Sequence, residues 1–87
     1  MPVLLSIAPN PVAGNIRFRL SGAVSDNEQL QVTVTSMQGR EVFRTRITSS
    51  RTDTRHELQT GSLLKKGIYI LQVAGKNYSQ TARVVVL

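Results

Sequence analysis

The feature that most constrains this chain is a period-two alternation of apolar and polar residues that recurs in short stretches. In "NIRFRLS", Ile16, Phe18 and Leu20 face one way while Arg17 and Arg19 face the other. "QLQVTVTS" repeats the pattern, with Leu30, Val32 and Val34 set against Gln31, Thr33 and Thr35. "EVFRTRIT" puts Phe43, Thr45 and Ile47 opposite Arg44 and Arg46, and "RHELQ" puts His56 and Leu58 opposite Arg55, Glu57 and Gln59. Side chains of a strand point alternately to its two faces, so each stretch reads as a strand with one dry and one wet face. Helical spacing is not sustained over the roughly ten residues that a helix needs.

Two later stretches differ. "GIYILQV" is almost wholly apolar, which predicts a strand central in its sheet and covered on both faces. "TARVVVL" ends the chain in the same style, and the opening "VLLSI" completes seven predicted strands. Between them lie "APNPVAGN", "GAVSDNE", "MQGR", "SSRTD", "GSLLKKG" and "AGKN", rich in the residues that make turns. Short strands recurring every roughly 8–12 residues predict an all-β, immunoglobulin-like sandwich of about seven antiparallel strands. Residues 1–87 read as a single domain, without an internal repeat or linker. In "LKKGIYIL", Tyr69 falls where a sandwich places a tyrosine whose hydroxyl bonds back to the preceding corner, and Gly67 permits the close approach. Tyr69 is thus expected to be structural first. Pro9 and Pro11 bias Ala8 and Asn10 towards extended geometry and should turn the chain from "VLLSI" towards the other sheet before "NIRFRL" begins.

Composition narrows the functional classes. The chain is 40% apolar, enough for one small core, and a domain of this size buries about 60–65% of its unfolded surface. There is no cysteine for a disulfide or thiolate metal site. No apolar run reaches transmembrane length, and "MPVLLSIA" is too short and lacks the basic start of a signal peptide. An export signal, where one operates, would lie upstream of Met1. A net charge of +6 and a pI near 10.9 make anionic partners conceivable without choosing among them.

Catalytic and metal readings are thin. Asp53 and His56 suggest a triad fragment, but residues three apart on a strand point to opposite faces, so the carboxylate is badly placed to orient the imidazole. "SDNE" (Ser25 to Glu28) lacks the ordered ligand ladder of a calcium loop and reads as a solvated turn. No cofactor or metal is expected. Arg17, Arg19, Arg44 and Arg46 would form one basic patch if their strands shared a sheet. Aromatic stacking residues are few, however, so nucleic acid is not an expected partner, and the arginines read as solubilising strand faces that discourage edge pairing.

Four blocks in order resemble one family, the C-terminal sorting domain of the type IX secretion system, type A. They are "IAPNPVAGNIRFRL" with its Pro-Asn-Pro opening, "VTVTSMQGREVF" with its Gly-Arg hairpin, "HELQTGSLLKKGIYILQV" with its Leu-x-x-Gly-Ile-Tyr pattern, and the terminal "TARVVVL". The resemblance spans Ile7 to Leu87. One departure stands out: members often carry a lysine near the C-terminus, where this chain has Arg83 followed by four apolar residues.

The resemblance implies the last domain of a larger exported protein, which crosses the periplasm and ends at the cell surface or outside the cell. The partners it implies are the type IX translocon, an outer-membrane shuttle protein and a sortase that removes the domain, with cargo released or anchored to anionic lipopolysaccharide. It implies a binding signal rather than an enzyme. The residues carried over by position are Pro9, Asn10, Pro11, Gly14, Gly39, Arg40, Gly67 and Tyr69. Val84, Val85, Val86 and Leu87 join them as the residues expected to make direct contact, read by strand addition or by capture of the terminal carboxylate. An exposed final strand would also allow homodimers. The alternative is an accessory carbohydrate-binding or adhesin-type sandwich, which would need exposed aromatics for sugar stacking; the chain has no tryptophan and two tyrosines.

Overall fold

The computed structural model describes residues 3–8, 10–22, 25–51, 55–61 and 63–87. Seven strands follow the alternating stretches closely: β1 (Leu4–Ile7), β2 (Ile16–Ser21), β3 (Gln29–Ser36), β4 (Glu41–Thr48), β5 (Arg55–Leu58), β6 (Gly67–Ala74) and β7 (Ser79–Val86). They form an immunoglobulin-like sandwich of two antiparallel sheets, ordered β1-β2-β5 and β4-β3-β6-β7. The described residues include no helix, and so none long and apolar enough to cross a membrane. A radius of gyration of 12.3 Å matches the roughly 12 Å expected of a chain this long folded as one unit.

The alternation decides what enters the core. Ile16, Phe18 and Leu20 of β2 and Leu58 of β5 face Leu30, Val32 and Val34 of β3, Tyr69, Leu71 and Val73 of β6, and Val84 and Val86 of β7, all of them buried. Burying each such aliphatic side chain stabilises the fold by about 1.5–3 kcal/mol relative to leaving it in water. Two buried hydroxyls tie loops into this core. Thr60 Oγ1 accepts from Ile16 N at 3.0 Å. Ser49 Oγ accepts from Glu28 N at 3.2 Å and donates to the Ser25 carbonyl.

Two sequence expectations need correction, and one open condition is decided. β6 is interior to its sheet, but only one of its faces is covered: Ile68 and Gln72 are exposed and Ile70 half-buried on the other. Its apolar run therefore does not record burial on two sides. The turn after β1 does not carry β2 to the other sheet, because β1 and β2 pair directly, from Leu4 opposite Ser21 to Ile7 opposite Phe18. The four arginines do not share a face, since Arg17 and Arg19 stand on β2 in the three-stranded sheet and Arg44 and Arg46 on β4 in the other.

Strand directions give the sandwich two ends. At one, β3 leads into β4, β6 begins and β7 finishes, with Gly67 opposite Val86. The other end gathers Ser25 to Glu28, Ser49, Gly75 and Tyr78, where Lys76 N donates to Glu28 Oε2 at 2.7 Å and Arg51 N to Asp26 Oδ1 at 2.7 Å. The oxygens of "SDNE" are thus spent on closing this end. Burial of the Tyr78 phenol, and secondarily the Glu28 carboxylate, pushes its pKa above the usual 10.0.

Candidate functional site

The loop between β1 and β2 does something its sequence does not announce. Instead of closing a tight hairpin, it reaches across to the free edge of β7, in the opposite sheet. Asn10 Nδ2 donates to the Arg83 carbonyl at 3.1 Å, and Asn10 Oδ1 accepts from Val85 N at 3.0 Å. Val12 N donates to the Val85 carbonyl at 2.7 Å, and Leu87 N to the Val12 carbonyl at 2.9 Å. Val12 and Val86 form a parallel bridge, and both side chains are buried. One side-chain amide and one residue of backbone thus stand in for a neighbouring strand. Pro11, between them, follows a cis peptide bond.

The strap is anchored at its far end as well. Asn15 donates to Glu57 Oε2 at 3.0 Å and to Gln59 Oε1 at 3.2 Å, and accepts from Gly61 N at 2.6 Å. Gly14, with φ of +109°, supplies the left-handed bend between strap and anchor. Pro9 lies outside the described residues, as does Asp53. Val12 was not singled out by sequence, and Asn15 was read only, with Gly14, as a flexible corner leading into the second strand.

The remaining family residues gather at the same end. Gly39, at φ +87°, lets the β3–β4 connection turn: its N–H donates to the Ser36 carbonyl at 2.9 Å, and Ser36 N to the Arg40 carbonyl at 2.8 Å. Tyr69 donates its hydroxyl to the Lys65 carbonyl at 2.7 Å, the corner bond its spacing predicts. Gly67 opens β6 opposite Val86. Asn10, Pro11, Gly39, Arg40, Gly67 and Tyr69 therefore all stand at the end where β7 finishes, Asn10 bonded to β7 and Gly67 paired opposite Val86, while Gly39 and Arg40 sit in the β3–β4 turn on the far side of the same sheet.

At that end the terminal residues divide. Val84 and Val86 are buried in the core, so they hold the fold and cannot be touched from outside; Val85 and Leu87 point outward, Leu87 being 69% exposed. Nor is the final strand an open edge throughout. The strap bonds to its outer edge from Arg83 to Leu87. Cations stand around this end at Arg40, Lys65, Lys66 and Arg83, all exposed. His56, whose ring stacks on Phe18 at 5.2 Å between centroids, sits half-buried on the inner face of β5. Of the four Phe and Tyr side chains, Phe18 and Tyr69 are buried and Phe43 and Tyr78 half-buried. Among the described residues, no three His, Cys, Asp or Glu side chains gather where a metal could bind.

Comparison with known proteins gives a family and a similar fold. Residues 6–87 match the family profile described as the secretion system C-terminal sorting domain. Among solved structures, the chain is similar to dimeric latent PorU from Porphyromonas gingivalis, with a TM-score of 0.67 and 16% identity. That alignment covers 100% of this chain and 10% of PorU, so the likeness is one of fold, and the chain spans about a tenth of that protein. No curated protein matches the chain.

Proposed function

The chain belongs to the family of secretion system C-terminal sorting domains, and from that premise we propose that it is the surface by which a type IX translocon selects a cargo protein. It is a C-terminal secretion signal domain, and the protein that carries it is exported across the outer membrane. The more specific reading has residues 1–87 as the last domain of a larger chain, folded in the periplasm and presented to the translocon and a barrel-type outer-membrane shuttle protein. A sortase then cuts the domain away, and the cargo is released or anchored to anionic lipopolysaccharide. The role is binding, without catalysis.

One observation supports this reading above the others. Asn10 and Gly67, two of the residues that carry the resemblance to the family, meet the final strand directly, Asn10 through two hydrogen bonds and Gly67 opposite Val86. An accessory sandwich needs only its core residues and turns. Here Asn10 is spent on the backbone of the final strand, whose outer edge it caps.

The test is export. A signal peptide and a fluorescent reporter are placed ahead of residues 1–87 in a bacterium with an active type IX system, and in the same strain with the translocon deleted. Reporter should reach the surface or medium only in the first, with a mass showing loss of the domain. Reporter confined to the periplasm of both strains would end the reading.

A further inference from the structure

The outer face of the four-stranded sheet carries an apolar patch at the end where β7 finishes. Ile68 on β6 is 44% exposed, Val42 on β4 39% and Met37, just past β3, 56%. Ile68 lies opposite Val85, and Ile70 is the next outward residue along β6. Isolated exposed apolar residues are ordinary, but a contiguous set at one end of a sheet marks an interaction surface. Its rim is cationic. Arg83 stands opposite Ile70, and Arg40 and Lys66 flank the turn and the start of β6. Arg44 is already taken by Glu41 at 2.6 Å. Among the described residues no ion pair occupies Arg40, Lys66 or Arg83.

We infer that this patch is the docking face for a partner protein that presents an apolar ridge flanked by carboxylates. The inference rests on the sorting function and names the chemistry of its partner. Charge complementarity selects that occupant. A second copy docked through the same patch would bring like rims face to face, since a two-fold interface is self-complementary and would set arginine against arginine. Acidic groups on a protein ridge meet both demands, with apolar contact at the centre and charge at the rim.

The experiment uses the reporter fusion in the type IX strain. Ile68→Thr combined with Val42→Thr keeps β-branched residues on the strands while removing apolar contact. Arg83→Glu reverses a rim charge, and Arg83→Lys restores it. Each purified domain is first checked for an unchanged thermal transition. The expected result is at least about a tenfold drop in exported reporter for the threonine pair and for Arg83→Glu, the ratio that about 1.4 kcal/mol of lost binding produces. Arg83→Lys should export like the parent chain. Folded variants exporting at the parent level overturn the docking face while leaving sorting intact; a parent fusion that is itself not exported overturns both. Dimers in light scattering that the threonine pair dissolves would assign the patch to a second copy. Patch-dependent sedimentation with phosphatidylethanolamine–phosphatidylglycerol vesicles would assign it to lipid. Either result overturns the protein partner.

Discussion

Asn10 offers the edge of β7 what a neighbouring strand would, an acceptor for Val85 N and a donor for the Arg83 carbonyl. Both bonds are solvent-exposed, and a typical hydrogen bond contributes a net ~0.5–1.5 kcal/mol, so Asn10→Ala should cost about 1–2 kcal/mol. The sharper readout is local. Amide exchange at Val85 should accelerate in Asn10→Ala while exchange on β3 follows only the global change; unaltered protection at Val85 would refute the strap. Tyr78 makes a different prediction. Its hydroxyl is buried without a hydrogen-bond partner among the described residues, so Tyr78→Phe should be as stable as the parent, or more so, near neutral pH. Because its pKa is raised in the folded chain, the folded state holds this proton more tightly than the unfolded state does. The resulting stability is complete below the unfolded phenol value and is lost as pH climbs through and beyond it. Denaturant melts between pH 8 and pH 11 should therefore show the parent falling away from Tyr78→Phe above about pH 10. Parallel curves would remove the effect.

At the scale of elements, two glycines fix turns for different reasons, and substitutions separate them. Gly39 holds φ of +87° with open space around it, so a side chain there meets strain but no clash. Gly39→Ala should lose about 1–2 kcal/mol, and Gly39→Asn should recover part of it, because asparagine tolerates the left-handed region. At Gly75 a β-carbon would stand 2.5 Å from Glu28 Oε2, 3.0 Å from Leu30 Cδ2 and 3.1 Å from Tyr78 Cε1. There Ala and Asn should both destabilise, by displacing the carboxylate that accepts from Lys76 N. Thermal melts of the four variants check this, and a benefit from Asn at Gly75 would contradict it. The strands themselves were legible because alternation is local: β3 and β4 begin and end where their patterns do. Sheet membership was not, since nothing local to "NIRFRL" or "EVFRTRIT" says that one pairs with β1 and β5 and the other with β3. The apolar outer face of β6 misled for a related reason. Ile68 and Ile70 look like core when read along the strand, yet Ile68 is exposed and Ile70 only half-buried. The strap was out of reach as well, because Asn10 and Arg83 are 73 positions apart.

For the whole molecule, β7 is part of what holds the sandwich closed. β7 pairs with β6 from Ser79 to Val86, contributes Val84 and Val86 to the core, and receives the strap on its other edge. Losing two buried valines removes about 3–6 kcal/mol, and a domain this small has only ~5–15 kcal/mol in total. Deleting Val84 to Leu87 should therefore abolish the cooperative thermal transition in circular dichroism. Removing Leu87 alone, which gives up one bond to the Val12 carbonyl, should keep it. A deletion variant that melts like the full chain would show that β7 is an appendage. Otherwise, loss of export on deleting those four residues says nothing about direct contact, because the same cut dissolves the surface at Ile68, Val42 and Arg83. The two roles come apart only through outward-facing residues such as Ile68, Arg83 and Leu87, whose side chains can change while Val84 and Val86 stay in place. A signal built this way is displayed only where β7 is folded into place, since Arg83 of the rim and the strap both depend on that strand being seated.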